Sequence, residues 1–355
     1  MTSRRPSRKH GNASAERRPI LIVPYMWIGD FVRCHSVVKL LKSQAPDRPV
    51  DVLSTSNNAP LLDYMPGVRQ GIVWDLPRSR LALRQNRALG QKLRQQGYAQ
   101  ALIMPRTWKS TLAPFFAGIP VRTGFFGEGR LGVLNDVRFG ERDLPRMIDQ
   151  CAALALPKGA ELPAKWPLPE LIVPAAERSV WRARTGIPGA TRLIALAPGA
   201  VGPSKRWPAA SFADGAAQFA RTGATVVVVG SPNETALAQE ICAGNPAVRD
   251  LTGPDLRNAI LALACAELAV SNDSGLLHVA AALGTPTIGI FGPTSPWHWA
   301  PLNPLAGVVQ ADIELDCRPC HKPVCRLGHH RCMREIPAAQ VMAIAQKTFA
   351  AAPVA

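Results

Sequence analysis

Short apolar runs recur along this chain, each closed by Gly, Pro or a polar residue and mostly followed by a segment whose apolar positions repeat every three or four residues. In the first half the runs are ILIVP (20–24), VDVLS (50–54), GIVW (71–74), ALIMP (100–104) and VRTGF (121–125). Runs of this length read as buried strands and the pattern between them as covering helices, so the alternation predicts a parallel sheet with helices packed on it. Between Leu156 and Pro174 the pattern breaks at Pro157, Pro163, Pro167, Pro169 and Pro174, which suits a linker or an extended crossing segment. A second series follows in LIALAP (193–198), ATVVVVGS (224–231), ELAVSND (267–273) and PTIGIFGP (286–293), and a last helical pattern runs over 338–349. The expected architecture is an α/β protein of two halves with a cleft between them. Its expected parts are a disordered basic arm over 1–18, an N-terminal domain over 19–170 and a C-terminal domain over 171–355.

The 355 residues support two domains, because single cores stop growing at about 250–300 residues. No apolar run approaches the roughly 20 residues that cross a bilayer. The formal charge is +16, of which the opening MTSRRPSRKHGNASAERR contributes +5. That arm has little apolar surface to bury. The ILIV before Pro24 is too short for the apolar region of a signal peptide, so a cytoplasmic location is expected. The remaining positive charge favours anionic partners: nucleotide phosphates, nucleic acid or an acidic membrane surface. Cys34, Cys151, Cys242 and Cys265 stand singly in apolar surroundings and are expected as buried thiols rather than a disulfide scaffold.

Three expected strand ends in the second half deliver polar residues. After LIALAP comes GAVGPSKRWP, where Gly199 and Gly202 loosen the backbone and Lys205 and Arg206 add two charges; such a loop either meets a phosphate or is a solvated basic turn. After TVVVVGS, Glu234 falls in the first turn of a helix, where a carboxylate binds ribose hydroxyls or stabilises the helix N-terminus. The stretch SNDSGLLH puts Asp273 and Ser274 at a helix cap, with Gly275 leaving backbone N–H groups accessible to a ligand. His278 lies on the same turn, as a ligand contact or a structural hydrogen-bonder. Ligands of parallel sheets bind outside the carboxyl ends of the strands, so the three loops together make a coherent site. In the first half, PYMWIGDFVR sets Gly29 and Asp30 between the first strand and helix, and Asp30 is either a proton acceptor or an N-cap. Arg106, Lys109, Arg122 and Arg130 fall in or near loops after strands and are candidates for an anionic acceptor.

These motifs resemble those of the lipopolysaccharide heptosyltransferases, and most closely their heptosyltransferase II branch. The resemblance rests on WIGD (27–30), PFFAGIPVRTG (114–124), LNDVR (134–138), PGA with GPSKRWP (198–208), GSPNE (230–234) and NDSGLLHVAAAL (272–283). It implies a GT-B fold, two Rossmann-like domains facing a central cleft, the N-terminal one holding the acceptor and the C-terminal one ADP-heptose. The implied reaction is inverting transfer of L-glycero-D-manno-heptose to the heptosyl-Kdo2-lipid A inner core, at the cytoplasmic face of the inner membrane as a peripheral protein. Asp30 matches the general base, Lys205 the lysine on the donor diphosphate, Glu234 the ribose carboxylate, and Asp273, Ser274, Gly275 and His278 the loop around diphosphate and heptose. Gly199 and Arg206 would complete the donor site, and Gly29, Arg106, Lys109 and Arg122 the acceptor site. In PRTWKS (105–110), Arg106 stands where the branch has the Asn of PNSFKS, and the basic arm is additional to the core pattern.

The segment CRPCHKPVCRLGHHRC sets Cys317, Cys320, Cys325 and Cys332 at spacings that fit structural Zn2+, reduced structural thiols or disulfides. The residues call for no other cofactor, and Mg2+ at a diphosphate is compatible with them. Heptosyltransferase I activity is the near alternative. A basic nucleic-acid-binding protein is a distant one, with few aromatics and no recognised motif, so no nucleic-acid partner is expected. A Rossmann oxidoreductase is disfavoured because no G-x-G-x-x-G follows the first strand.

Overall fold

The computed structural model describes residues 18–77 and 80–351. The basic arm lies outside the described residues except at its last position. Arg18 is anchored: its Nε donates to the Gly97 carbonyl (2.9 Å) and a terminal nitrogen to that of Tyr98 (3.0 Å). The expected disordered arm over 1–18 is therefore corrected at that end.

The chain divides into two compact units. The first contains β1 (Ile20–Val23), β2 (Val50–Ser54), β3 (Gln70–Val73), β4 (Gln100–Ile103), β5 (Val121–Phe125) and β6 (Asp136–Arg138) in the order β3-β2-β1-β4-β5-β6. Every pairing is parallel, with Ile20 opposite Val50 on one side and Gln100 on the other. Burial on both faces explains why β1 is a continuous apolar run rather than an alternating one. Leu21, Val23 and Ile103 pack there with Leu89 and Leu93 of the Leu83–Arg94 helix and Ala113 of the Trp108–Phe116 helix.

The second unit repeats the plan with β7 (Leu193–Ala197), β8 (Thr225–Val228), β9 (Val248–Asp250), β10 (Leu268–Asn272), β11 (Thr287–Ile290) and β12 (Ala306–Val309), in the order β12-β11-β10-β7-β8-β9. All pairings are again parallel. Ile194, Leu196, Val226, Val228, Val270 and Ile288 form its core with Phe212, Phe219 and Val341. In both sheets the order reverses between two central strands, β1 and β4 in the first, β7 and β10 in the second. Crevices at such reversals are where doubly wound sheets bind ligands.

The units do not follow the chain in two blocks. Trp27–Arg33 and Asp63–Pro66 cluster with the second unit, whose main body starts at Leu168. The reason for the first exception is helix packing. The Ile28–Arg33 helix lies against the Gly275–Ala282 helix, and each presents a glycine to the other. A methyl group on Gly29 would come within 2.5 Å of His278 Cδ2, and one on Gly275 within 2.8 Å of Ile28 Cβ. The second exception is held by Tyr64, whose hydroxyl donates to Glu177 (2.7 Å) and accepts from Arg257 (2.6 Å).

Candidate active site

Lys205, Asp273, His278 and Asp30 come together in the second unit at the β7/β10 reversal. Lys205 ends a one-turn helix, Pro203–Lys205, in the loop after β7. Its Nζ lies 2.7 Å from Asp273 Oδ2, and Thr294 Oγ1 donates to that same oxygen at 2.7 Å. Asp273 is almost wholly buried, whereas Lys205 keeps a third of its side chain exposed. The carboxylate is thus committed to aiming the ammonium group.

Asn272, one residue earlier, ties the two loops. Its amide donates to the Pro198 carbonyl (2.6 Å) and its oxygen accepts from the Trp207 N–H (3.0 Å). Trp207 is buried, stacks edge-on against Phe212 and donates through its indole N–H to the Ile336 carbonyl (2.9 Å). Arg206 is exposed and closes the loop by donating to the Ala200 carbonyl (3.0 Å). Its guanidinium therefore braces the loop.

His278 is buried, and its Nδ1 has no hydrogen-bond partner. Burial, then the nearby charges of Arg33 and Lys205, hold its pKa well below the usual value, so the ring is neutral. Asp30 is pushed the other way. Burial raises its pKa, Asp273 adds to the rise, and Arg33, Lys205 and His298 oppose it. Arg33 stands 3.5 Å from Asp30 Oδ1, donates to the Trp299 carbonyl (2.7 Å) and lies over the Trp299 ring. Sequence reading passed over Arg33 and Thr294, and gave no role to Asn272 and Trp207, which stand in the NDSGLLH and KRWP motifs. An Arg three residues after Asp30 in a largely apolar helix was the available signal for the first.

Several expectations change in detail. Asp30 and Gly29, placed by chain order in the first half, belong to the second unit. Helix packing by itself already requires glycine at Gly29 and Gly275. Ser274 occupies the N-cap position without making a side-chain cap bond; its hydroxyl lies 3.3 Å from Ser271 Oγ. Glu234 does form a helix-start capping box, accepting from Ser231 N–H at 2.6 Å through Oε2. Its Oε1 faces Gly199, where an added methyl would come within 2.7 Å.

In the first unit, Arg122 is spent on structure, donating to the carbonyls of Val133 (2.6 Å) and Ile119. Arg130 is buried and donates to the Pro105 (2.7 Å) and Phe125 (2.6 Å) carbonyls. Arg106 pairs with Glu141 at 2.8 Å, beside a cavity of about 350 Å³ that Arg138, Arg142, Phe126 and Phe139 also line. Lys109 sits half-buried on the first turn of the Trp108–Phe116 helix.

Cys317, Cys320, Cys325 and Cys332 all line one small cavity of about 80 Å³. Burial and then the other three thiols push Cys332 up to about 11. Backbone N–H groups, that of His330 foremost and those of Leu327, Gly328 and His329 after it, hold the Cys325 thiol below its ordinary value. Among the described residues, no three His, Cys, Asp or Glu side chains stand as placed in a group that could hold a metal ion.

Two six-stranded parallel sheets, each reversing its strand order between central strands, make up a GT-B fold. The glycosyltransferase family 9 (heptosyltransferase) profile matches residues 86–330. The lipopolysaccharide heptosyltransferase 2 of Salmonella typhimurium is 37% identical over 304 residues, 82% of this chain and 87% of its own. The lipooligosaccharide heptosyltransferase 2 of Haemophilus influenzae is 34% identical over 89% of this chain and 95% of its own. The solved Escherichia coli ADP-heptose LPS heptosyltransferase II superposes with a TM-score of 0.83 at 32% identity, covering 94% of this chain and 98% of that one. The chain belongs to glycosyltransferase family 9, the heptosyltransferases, and is an enzyme of that family.

Proposed function

We propose that this protein is a heptosyltransferase II, moving L-glycero-D-manno-heptose from ADP-heptose to the heptosyl-Kdo2-lipid A inner core with inversion at the anomeric carbon. The observation that carries the reading is the Lys205–Asp273 pair set at the β7/β10 reversal with Asp30 in the same unit. In this reading Asp30 takes the proton of the acceptor hydroxyl as that oxygen bonds to the anomeric carbon and the bond to ADP breaks. A carboxylate with raised proton affinity suits the task, because a general base works best as its pKa approaches the working pH. Lys205 meets the charge that develops on the leaving diphosphate, and the N–H groups of the Gly275–Ala282 helix add to it. The buried Nδ1 of His278 would accept a hydrogen bond from a donor-sugar hydroxyl. Glu234 Oε1 and Gly199 would meet the ribose.

The acceptor is a phosphorylated glycolipid, which a chain of charge +16 suits, and Arg106 and Lys109 of the first unit are its proposed contacts. Peripheral work at the cytoplasmic face of the inner membrane belongs to the same proposal. Among the described residues, no helix is long and apolar enough to cross a membrane. The test is ADP release from ADP-heptose with heptosyl-Kdo2-lipid A, for wild type, Asp30→Ala and Lys205→Ala. Acceptor-dependent release lost in both variants is the expected result. Release with Kdo2-lipid A alone would move the assignment to heptosyltransferase I, and silence with both acceptors would remove the proposal.

A further inference from the structure

The loop that carries Lys205 is held from outside by the cysteine-rich segment. The Ser204 N–H donates to the Pro323 carbonyl (3.1 Å) and its hydroxyl to the Lys322 carbonyl. The His330 ring donates from Nε2 to the Ser204 carbonyl at 2.6 Å. Gly202 lies so close to Pro323 that an added methyl would come within 3.3 Å of it. The segment grips the second loop as well. The His321 N–H donates to the Pro293 carbonyl (2.8 Å), next to the Thr294 that bonds Asp273, and a methyl on Gly292 would collide with Met333 and crowd Cys332 Sγ. Both partners of the Lys205–Asp273 pair therefore depend on where residues 317–332 sit.

What holds that segment is the question, because it is short of core. Val324 and Leu327 are exposed, and of the four cysteines only Cys332 is buried. Irregular segments with too little apolar burial are commonly fixed by a metal or by disulfides. The four thiols share one cavity, spaced C-x2-C-x4-C-x6-C. Of the two histidines lining it, His330 bonds Ser204 through Nε2 and His329 accepts from the Arg331 N–H through Nδ1 (3.0 Å), so each has one ring nitrogen engaged. We propose that Cys317, Cys320, Cys325 and Cys332 bind one thiophilic divalent ion of the Zn2+ class, and that this ion braces the Lys205 loop. The sulfurs are not gathered into a ligand set as they stand. Each thiol can turn between staggered χ1 wells to meet the ion. Each coordinating thiol gives its proton to solvent as its bond to the ion forms.

The ion-binding part stands independently of the heptosyltransferase reading, and its readouts do not use activity. The full chain, reduced and exposed to excess ZnCl2, then freed of unbound ion, is expected to retain about one zinc per chain by elemental analysis. Cys317→Ser/Cys320→Ser should lose that zinc while keeping its near-ultraviolet circular dichroism. Cys325→Ser, at a half-buried position, serves as a second variant if the pair proves unstable. Hydrogen exchange supplies the bracing readout: the Ser204 amide should exchange at least tenfold faster in the metal-free chain than in the loaded one. Less than about a tenth of an equivalent of zinc in wild type, or four thiols that react freely after zinc loading, would overturn the site. Retained zinc with unchanged exchange at Ser204 would overturn the brace.

Discussion

Asp30, partly buried, and His278, buried, are ionisable residues with opposite pKa shifts, and the difference is testable. A carboxyl whose folded pKa is raised binds its proton more tightly in the folded chain. Its contribution therefore opposes folding once pH passes above the folded value, and is absent below the unfolded one. Asp30→Asn is expected to raise the melting temperature at pH 8 and leave it unchanged near pH 3, while cutting kcat by about 10²–10⁴-fold. A variant that lost activity without gaining stability at pH 8 would indicate that the carboxylate is better compensated than its burial implies. The neutral ring of His278 acts in the other direction: its stability contribution is full above the unfolded value, about 6.5, and is lost as pH falls towards the folded one. His278→Asn should flatten the fall in stability between pH 7 and 5, read from urea midpoints at each pH. At this scale the sequence was partly legible. Lys205, Asp273 and His278 were visible because chemistry and motif coincide, whereas Arg33 lies outside every motif and Asn272, though inside one, acts by bonding a backbone carbonyl, a role its side chain does not announce.

At the scale of elements, the central strands and the edge strand β3 were readable and the other three edges were not. β1, β4, β7, β10 and β11 are buried apolar runs, which composition alone exposes. β6, β9 and β12 are three or four residues long and partly exposed, and each has a neighbour on one side only; β6 and β9 carry no apolar run, and that of β12 is only the four residues AGVV. The crossing of the Ile28–Arg33 and Gly275–Ala282 helices was also hidden, because a glycine in a helix reads first as a weak point. Here it is a contact surface. Gly29→Ala should gain about 0.5–1 kcal/mol of helix preference and lose about 1–3 kcal/mol to the overlap with His278. The net expectation is a lower urea midpoint with an unchanged slope, together with a raised KM for ADP-heptose as the ring is displaced. A stability at or above wild type would show that the helices separate cheaply and that the notch is not what holds Asp30 beside the donor loops.

Over the whole molecule, charge has more to say than fold, since both sheets use one strand order and differ in what their loops carry. The net charge of +16 is the excess of 41 Lys and Arg over 25 Asp and Glu, and several of the basic side chains are already paired or bonded to carbonyls. A long-range field of this sign steers an anionic lipid acceptor before any contact forms, and salt removes it: going from 0.1 to 1 M shortens the screening length from about 10 to about 3 Å. The donor meets Lys205 at short range in a partly buried loop, where screening is weaker. Raising salt over that interval should therefore lower kcat/KM for heptosyl-Kdo2-lipid A by about tenfold or more while changing that for ADP-heptose several-fold less. The two are separated by varying one substrate at saturating levels of the other, with the acceptor held in a defined detergent so that its aggregation stays constant. An equal loss for both substrates would place the salt-sensitive contact at the donor loops, and no loss for either would mean that acceptor capture rests on shape and short-range bonds rather than on the field of the chain.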